Sequence, residues 1–228
     1  MKIIKQWYHV MEKIIYKLAM RRSKMSLIDR YSLEWYQAFA IESNKRLQEI
    51  LPKVPDIGKS IFSFNYKFAP VYIAWYLALE KMEISSKEID EIIWLLNERM
   101  VTIVPGFLMH RVGKSYFNSF RKKSAMHVKK QETTGVHPYD WEIRYRDVDD
   151  NCFEIDILSC GMKKLASDFH AEGMLPGICR MDYMYANMMR NGFERTKTLG
   201  DGDECCNCRY YMTGNCEWAP EKGFVDRK

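Results

Sequence analysis

The sequence predicts an α+β fold: a helical N-terminal half followed by an antiparallel sheet with helices packed on one face. Three observations predict it. Apolar residues recur at helical spacing through roughly the first 130 residues. Period-two alternation then runs from Trp141 to Ile157 around the turn Asp149, Asp150, Asn151. A second alternating stretch covers Phe193 to Met212, broken at Gly200, Asp201, Gly202. The chain has 228 residues, 47% of them hydrophobic and 29% charged, which is enough for a packed core without staples. Residues 1–130 are expected to form a helical region and residues 131–228 an α+β region, joined in one continuous globular unit.

The elements follow in order. Ile3, Ile4, Trp7, Met11, Ile14, Ile15 and Leu18 share helical spacing, with lysines opposite. This first helix reads either as a segment docked on the body or as a membrane-surface helix within residues 1–24, given Trp7, Tyr8 and the basic face. A second helix is expected from Ser26 to Leu51, stopped by Pro52, Pro55 and Gly58. A third spans Phe68 to Met82. Ser85 or Ser86 caps a fourth, with Glu88 in its first turn. Pro105 opens a fifth, expected to end in the basic run Arg121, Lys122, Lys123. Thr133, Thr134, Gly135 and Pro138 mark a loop before the first hairpin. A helix from Cys160 to His170 and another from Pro176 through Met189 precede strands Phe193–Leu199 and Cys205–Met212.

Charge and cysteine usage exclude several classes. The net charge is +5, but Lys2, Lys5, Lys13, Lys17, Arg21, Arg22 and Lys24 against Glu12 place +6 in the first 24 residues. The remainder carries −1, so no basic stripe lies on the folded part and nucleic acid is set aside. The longest apolar stretch, Phe68 to Leu79, is shorter than the roughly 20 residues a bilayer span needs. No secretory pattern opens the chain. Seven cysteines, odd in number and clustered, do not resemble a disulfide framework, so a cytoplasmic protein with free thiols is expected. Association with a second copy is left open.

The chemistry is expected between Cys152 and Cys216. Cys205 and Cys208 form a C-x-x-C, with Cys216 eight residues on, but no second pair or His-x₃₋₅-His completes a zinc site. In a strand Cys206 and Cys208 face one side and Cys205 the other. Cys160 stands at a helix start, where backbone N–H groups lower a thiol's pKa. Cys179 precedes Asp182 by three residues, which makes them neighbours on a helix face. Arg195, Thr196, Lys197 and Thr198 form a polar strand, with Arg195 and Lys197 on one face, suited either to water or to a substrate carboxylate. Each cysteine taken alone is also compatible with a small buried hydrophobe. His110, His127, His137 and His170 have no ligand spacing.

At FEIDILSCGMKKLASDF, ICRMDYMYANMM and ERTKTLGDGDECCNCRYY the chain resembles the L-2-amino-thiazoline-4-carboxylic acid hydrolase family. Cys160, Cys179 with Asp182, Arg195 to Leu199, and Gly202, Asp203 and Cys206 fall on the family's pattern. Cys208 departs from it, standing where an aromatic residue is usual, and Cys205 adds a thiol. The resemblance implies hydrolytic opening of a small carboxylate-bearing cyclic amidine by a thiolate or an activated water. On that basis Cys160 or Cys179 is the expected nucleophile and Asp182 the proton shuttle or orienter. Arg195, Lys197, Thr196, Cys206 and Asp203 are the expected substrate-binding set. The implied partner is a small-molecule substrate, and neither a cofactor nor a metal is expected. The ending also resembles, more weakly, the vinyl-reductase-like small-molecule binding domains, which keeps a non-enzymatic sensor as an alternative. A thiol-ligated metal protein is the third reading.

Overall fold

The computed structural model describes residues 9–218, so Ile3, Ile4, Trp7 and Tyr8 lie outside the described residues. The helical half contains α1 (Val10–Arg30), α2 (Leu33–Ile50), a short α3 (Ser63–Tyr66), α4 (Ala69–Lys81), α5 (Ser86–Val101) and α6 (Gly106–Thr134). The second half contains β1 (Glu142–Asp149), β2 (Cys152–Ser159), α7 (Gly161–Asp168), α8 (Leu175–Cys179), α9 (Met181–Met189), β3 (Gly192–Arg195) and β4 (Cys206–Tyr211). The class is the α+β one the sequence predicts.

Several boundaries differ from expectation. The first helix does not stop near Leu18; it continues to Arg30, because Ala19, Met20, Ser23 and Leu27 extend its buried face. The break falls at Ser32, whose hydroxyl accepts the Trp35 N–H at 3.1 Å and caps α2. The basic run Arg121–Lys123 does not end α6. Gly135, at φ +71°, ends it three turns later. Arg121 is not merely solvated: it donates to the Asp150 carbonyl at 2.8 Å and pairs with Asp147, holding the hairpin turn. Pro105 stands at the N-cap of α6 rather than inside its first turn. Arg180 interrupts the helix predicted from Pro176 to Met189, leaving α8 and α9. The third strand closes at Arg195, and Leu199–Asp201 form a 3₁₀ turn.

Elsewhere the predicted signals act as expected. Pro52 lies in the 3₁₀ turn that ends α2, and Ser85 caps α5 by accepting the Glu88 N–H. The apolar stretch at Phe68 becomes α4, and every residue from Ala69 to Trp75 in it is buried. Tyr72 donates to Asn97 on α5 and also reaches the Met181 sulfur on α9, tying the helices to the second half.

The four strands form one antiparallel sheet in the order β1-β2-β4-β3. Register pairs Ile155 with Cys208, Ile157 with Cys206, and Arg195 with Cys208. Alternation therefore puts Phe153, Ile155, Ile157, Cys206, Cys208, Tyr210, Phe193 and Arg195 on the same face. Phe153 stacks on Tyr210 with ring centroids 4.9 Å apart, and Phe117 of α6 packs on Phe153 at 5.0 Å. The opposite face carries Glu154, gripped by Arg146 and Arg209. Gln131 of α6 satisfies the edge strand, donating to the Ile143 carbonyl at 2.7 Å and accepting its N–H at 3.1 Å.

Candidate functional site

Two glycines allow the elements around the thiols to approach closely. A Cβ on Gly113 would lie 2.3 Å from the Met189 carbonyl oxygen, so α6 and α9 cross nearly backbone to backbone. One turn further on, Tyr116 faces Asp182 and Tyr185 of α9 closely enough for their charges to act on it. A Cβ on Gly200 would lie 2.8 Å from the Cys179 sulfur, so only glycine leaves room for that thiol.

Arg195 is the centre of the polar arrangement. Its guanidinium donates to Asp182 Oδ2 at 2.8 Å and to the Cys179 carbonyl at 2.6 Å. It also packs over the rings of Tyr183 and Phe193, at 5.5 and 5.4 Å. Its side chain is only 6% exposed, whereas that of Asp182 is 42% exposed. Burial nevertheless raises the Asp182 carboxyl above the usual range, with Arg195 opposing. Tyr116 behaves alike: 48% exposed, yet burial raises its phenol, helped by Asp182. Tyr185 is pushed up to about 12 by burial and then by Asp182, and burial takes Tyr210 well above its ordinary value. Asp182 lies near enough to Tyr116, Tyr185 and Tyr210 for its charge to act on all three. Burial works against the Arg195 charge, but Asp182 and the adjoining thiols keep it protonated well above its usual range.

The sulfurs gather beside this pair. Cys160 caps α7; burial pushes its thiol up to about 11, although the N–H groups of Lys163 and Met162 oppose. Cys179 is raised further by burial, with Arg195 opposing and Cys206 and Cys160 adding to the rise. Cys208, 1% exposed, is pushed up to about 12 by burial, with Arg195 opposing. The Cys206 sulfur accepts the Leu199 N–H at 3.2 Å and lies 3.5 Å from the Thr198 hydroxyl. Cys205 is half-buried and precedes β4, while Cys206 and Cys208 are buried, as strand alternation requires. Among the described residues, no group of three or more His, Cys, Asp or Glu is arranged to hold a metal ion.

The remaining predicted residues lie at the border. Thr196 and Lys197 donate their backbone N–H groups to Asn207 Oδ1 at 3.0 and 2.7 Å. The Lys197 ammonium is at the surface, 2.5 Å from Glu204. Asp203 accepts the Thr198 N–H at 2.8 Å, which fixes the turn that aims Leu199 at Cys206. A shallow cleft opens here, lined among others by Cys179, Arg195, Thr196, Lys197 and Thr198. Asp182 does not line this cleft but is bonded to Arg195, which does.

The structure therefore brings Cys160, Cys179, Asp182, Arg195 and Cys206 into one neighbourhood, and places Lys197 and Asp203 at its rim. The three tyrosines escaped the sequence reading. Tyr210 lay within the quoted CCNCRYY ending, and Tyr116 follows Gly113 by three residues on a helix. A small residue one turn from an aromatic on a long helix was the available signal.

The sequence model of the L-2-amino-thiazoline-4-carboxylic acid hydrolase family matches residues 65–210, an interval holding every residue of this neighbourhood. No curated protein and no solved structure matches the chain.

Proposed function

From the premise that this chain belongs to the L-2-amino-thiazoline-4-carboxylic acid hydrolase family, we propose that it opens a small carboxylate-bearing cyclic amidine by attack of an activated water. Asp182 is the general base. The observation carrying this reading is geometric: Arg195 fixes Asp182 Oδ2 at 2.8 Å beside the Cys179 carbonyl, and the direction of the protonation shifts agrees with it. A nucleophilic cysteine needs a depressed pKa, yet burial raises Cys160, Cys179 and Cys208. Asp182 is raised too, and for a carboxylate that moves the pKa toward the operating pH, where a base is most effective.

The electrophilic carbon of a cyclic amidine lies between heteroatoms and accepts attack when the ring nitrogen is protonated. Water gives one proton to Asp182 as its oxygen bonds to that carbon. The tetrahedral carbon then expels one ring heteroatom, which takes the proton back from Asp182, and the hydroxyl proton returns to solvent as the carbonyl forms, replacing the solvent proton that had activated the ring nitrogen. The product is the ring-opened carbamoyl compound, heavier by one water. Asp182 Oδ2 is held by Arg195, so its other oxygen is the one available to the reactants. Arg195 positions the base and supplies positive charge toward a substrate carboxylate. The neutral thiols of Cys160 and Cys179 lie beside this pair.

Incubation with 2-aminothiazoline-4-carboxylate, followed by mass spectrometry, tests this reading. The expected product gains one water, and its carbonyl oxygen derives from labelled solvent. A ligand-induced rise in melting temperature with no product would instead identify a binding module.

A further inference from the structure

Helix α1 is apolar on two opposite faces. Ile15, Tyr16, Ala19, Met20 and Leu27 are buried against the body. On the other side Val10, Met11, Ile14, Leu18 and Met25 are exposed, from 41% for Val10 to 63% for Met25. Val10, Ile14 and Leu18 stand at i, i+4 and i+8, and Met11, Leu18 and Met25 at i, i+7 and i+14, so they share one arc. Among the described residues, the packing of the fold leaves this arc exposed. Lys17, Arg21, Arg22 and Lys24 are exposed around it. Among the described residues, Lys17, Arg21 and Arg22 have no carboxylate partner.

We infer that this outer face of α1 docks on an anionic lipid surface, with Ile14, Leu18 and Met25 dipping into the headgroup boundary and the flanking cations meeting lipid phosphates and carboxylates. An apolar arc edged by long cationic side chains suits an interface where stems lie along the apolar boundary and heads reach charge. Charge decides between occupants. A two-fold pairing of α1 with its copy would bring the same cations together. An anionic bilayer neutralises them, each contributing to attraction. The inference is independent of the hydrolase reading, since α1 supplies none of the residues that reading uses.

The test is co-sedimentation of the full chain with phosphatidylcholine vesicles, with and without phosphatidylserine. The protein is expected to sediment with the anionic vesicles and to remain in solution with neutral ones. The pair Ile14→Asp with Leu18→Asp, and separately Lys17→Glu with Arg21→Glu, should each lower binding about tenfold or more with unchanged melting and turnover. Wild-type protein left in solution with anionic vesicles overturns the inference, as does binding that neither pair alters. So does a concentration-dependent dimer, without vesicle binding, that the aspartates dissociate.

Discussion

Asp182 and the thiols titrate in directions that separate their roles. Because burial raises the Asp182 carboxyl, its anionic form is lost at a higher pH than the roughly 3.9 of a free aspartate. Turnover requires that anion, so activity should fall as pH drops through the raised value. The acid limb of a kcat–pH profile measures it, and a limb at the ordinary aspartate range would oppose the assignment. Cys160, pushed up to about 11, should alkylate slowly at neutral pH and faster only in strongly alkaline solution. Peptide mapping after timed iodoacetamide labelling reads this directly; rapid labelling below pH 7 would restore a thiolate mechanism. Spacing placed Cys160 and Cys179 near helix starts and Cys206 on a strand, but pattern alone could not show that they meet, because it fixes helix placement only to within about 2–4 residues. The Arg195–Asp182 bond was not legible, since strand pattern gives a face and not a partner. The same limit applied to Lys197, which strand alternation assigned to the face of Arg195. The strand ends at Arg195, so the alternation does not reach it.

At the scale of elements, caps and close crossings carry the argument. Ser32→Ala removes the acceptor for the Trp35 N–H and should cost about 1 kcal/mol, seen as a lower urea midpoint. Gly113→Ala is more severe, because the added carbon meets the Met189 carbonyl rather than a movable side chain. It should force α9 from α6, cost about 1–3 kcal/mol, and lower turnover by displacing Asp182 from Tyr116. A melt and a rate measurement on that variant decide whether the crossing positions the site; wild-type values in both would show that it does not. Period and punctuation found most of these elements: Ser85, Pro52 and the Asp149–Asn151 turn all act locally. The run from Ala19 to Met25 and the full length of α6 were missed because tertiary burial and Arg121's pairing override local stop signals.

Across the whole molecule, a few buried contacts join the helices to the sheet region. Tyr72 bridges Asn97 and Met181, and Phe62 stacks on Trp141 at 5.0 Å. Tyr72→Phe leaves the Asn97 carbonyl oxygen without that donor, and should destabilise by about 1–3 kcal/mol. Urea unfolding followed by helical circular dichroism and by tryptophan fluorescence should give coincident transitions, both shifted in the variant. Two separate transitions would mean that the halves unfold independently. The central claim is that one carboxylate, held by Arg195 beside a group of neutral thiols, activates water. The most direct test compares kcat on 2-aminothiazoline-4-carboxylate for Asp182→Asn, Cys160→Ser and Cys179→Ser. The account predicts a loss of about 10²–10⁴-fold for the asparagine variant and less than about tenfold for each serine variant. Full activity in Asp182→Asn, or abolition by either serine alone, would contradict it.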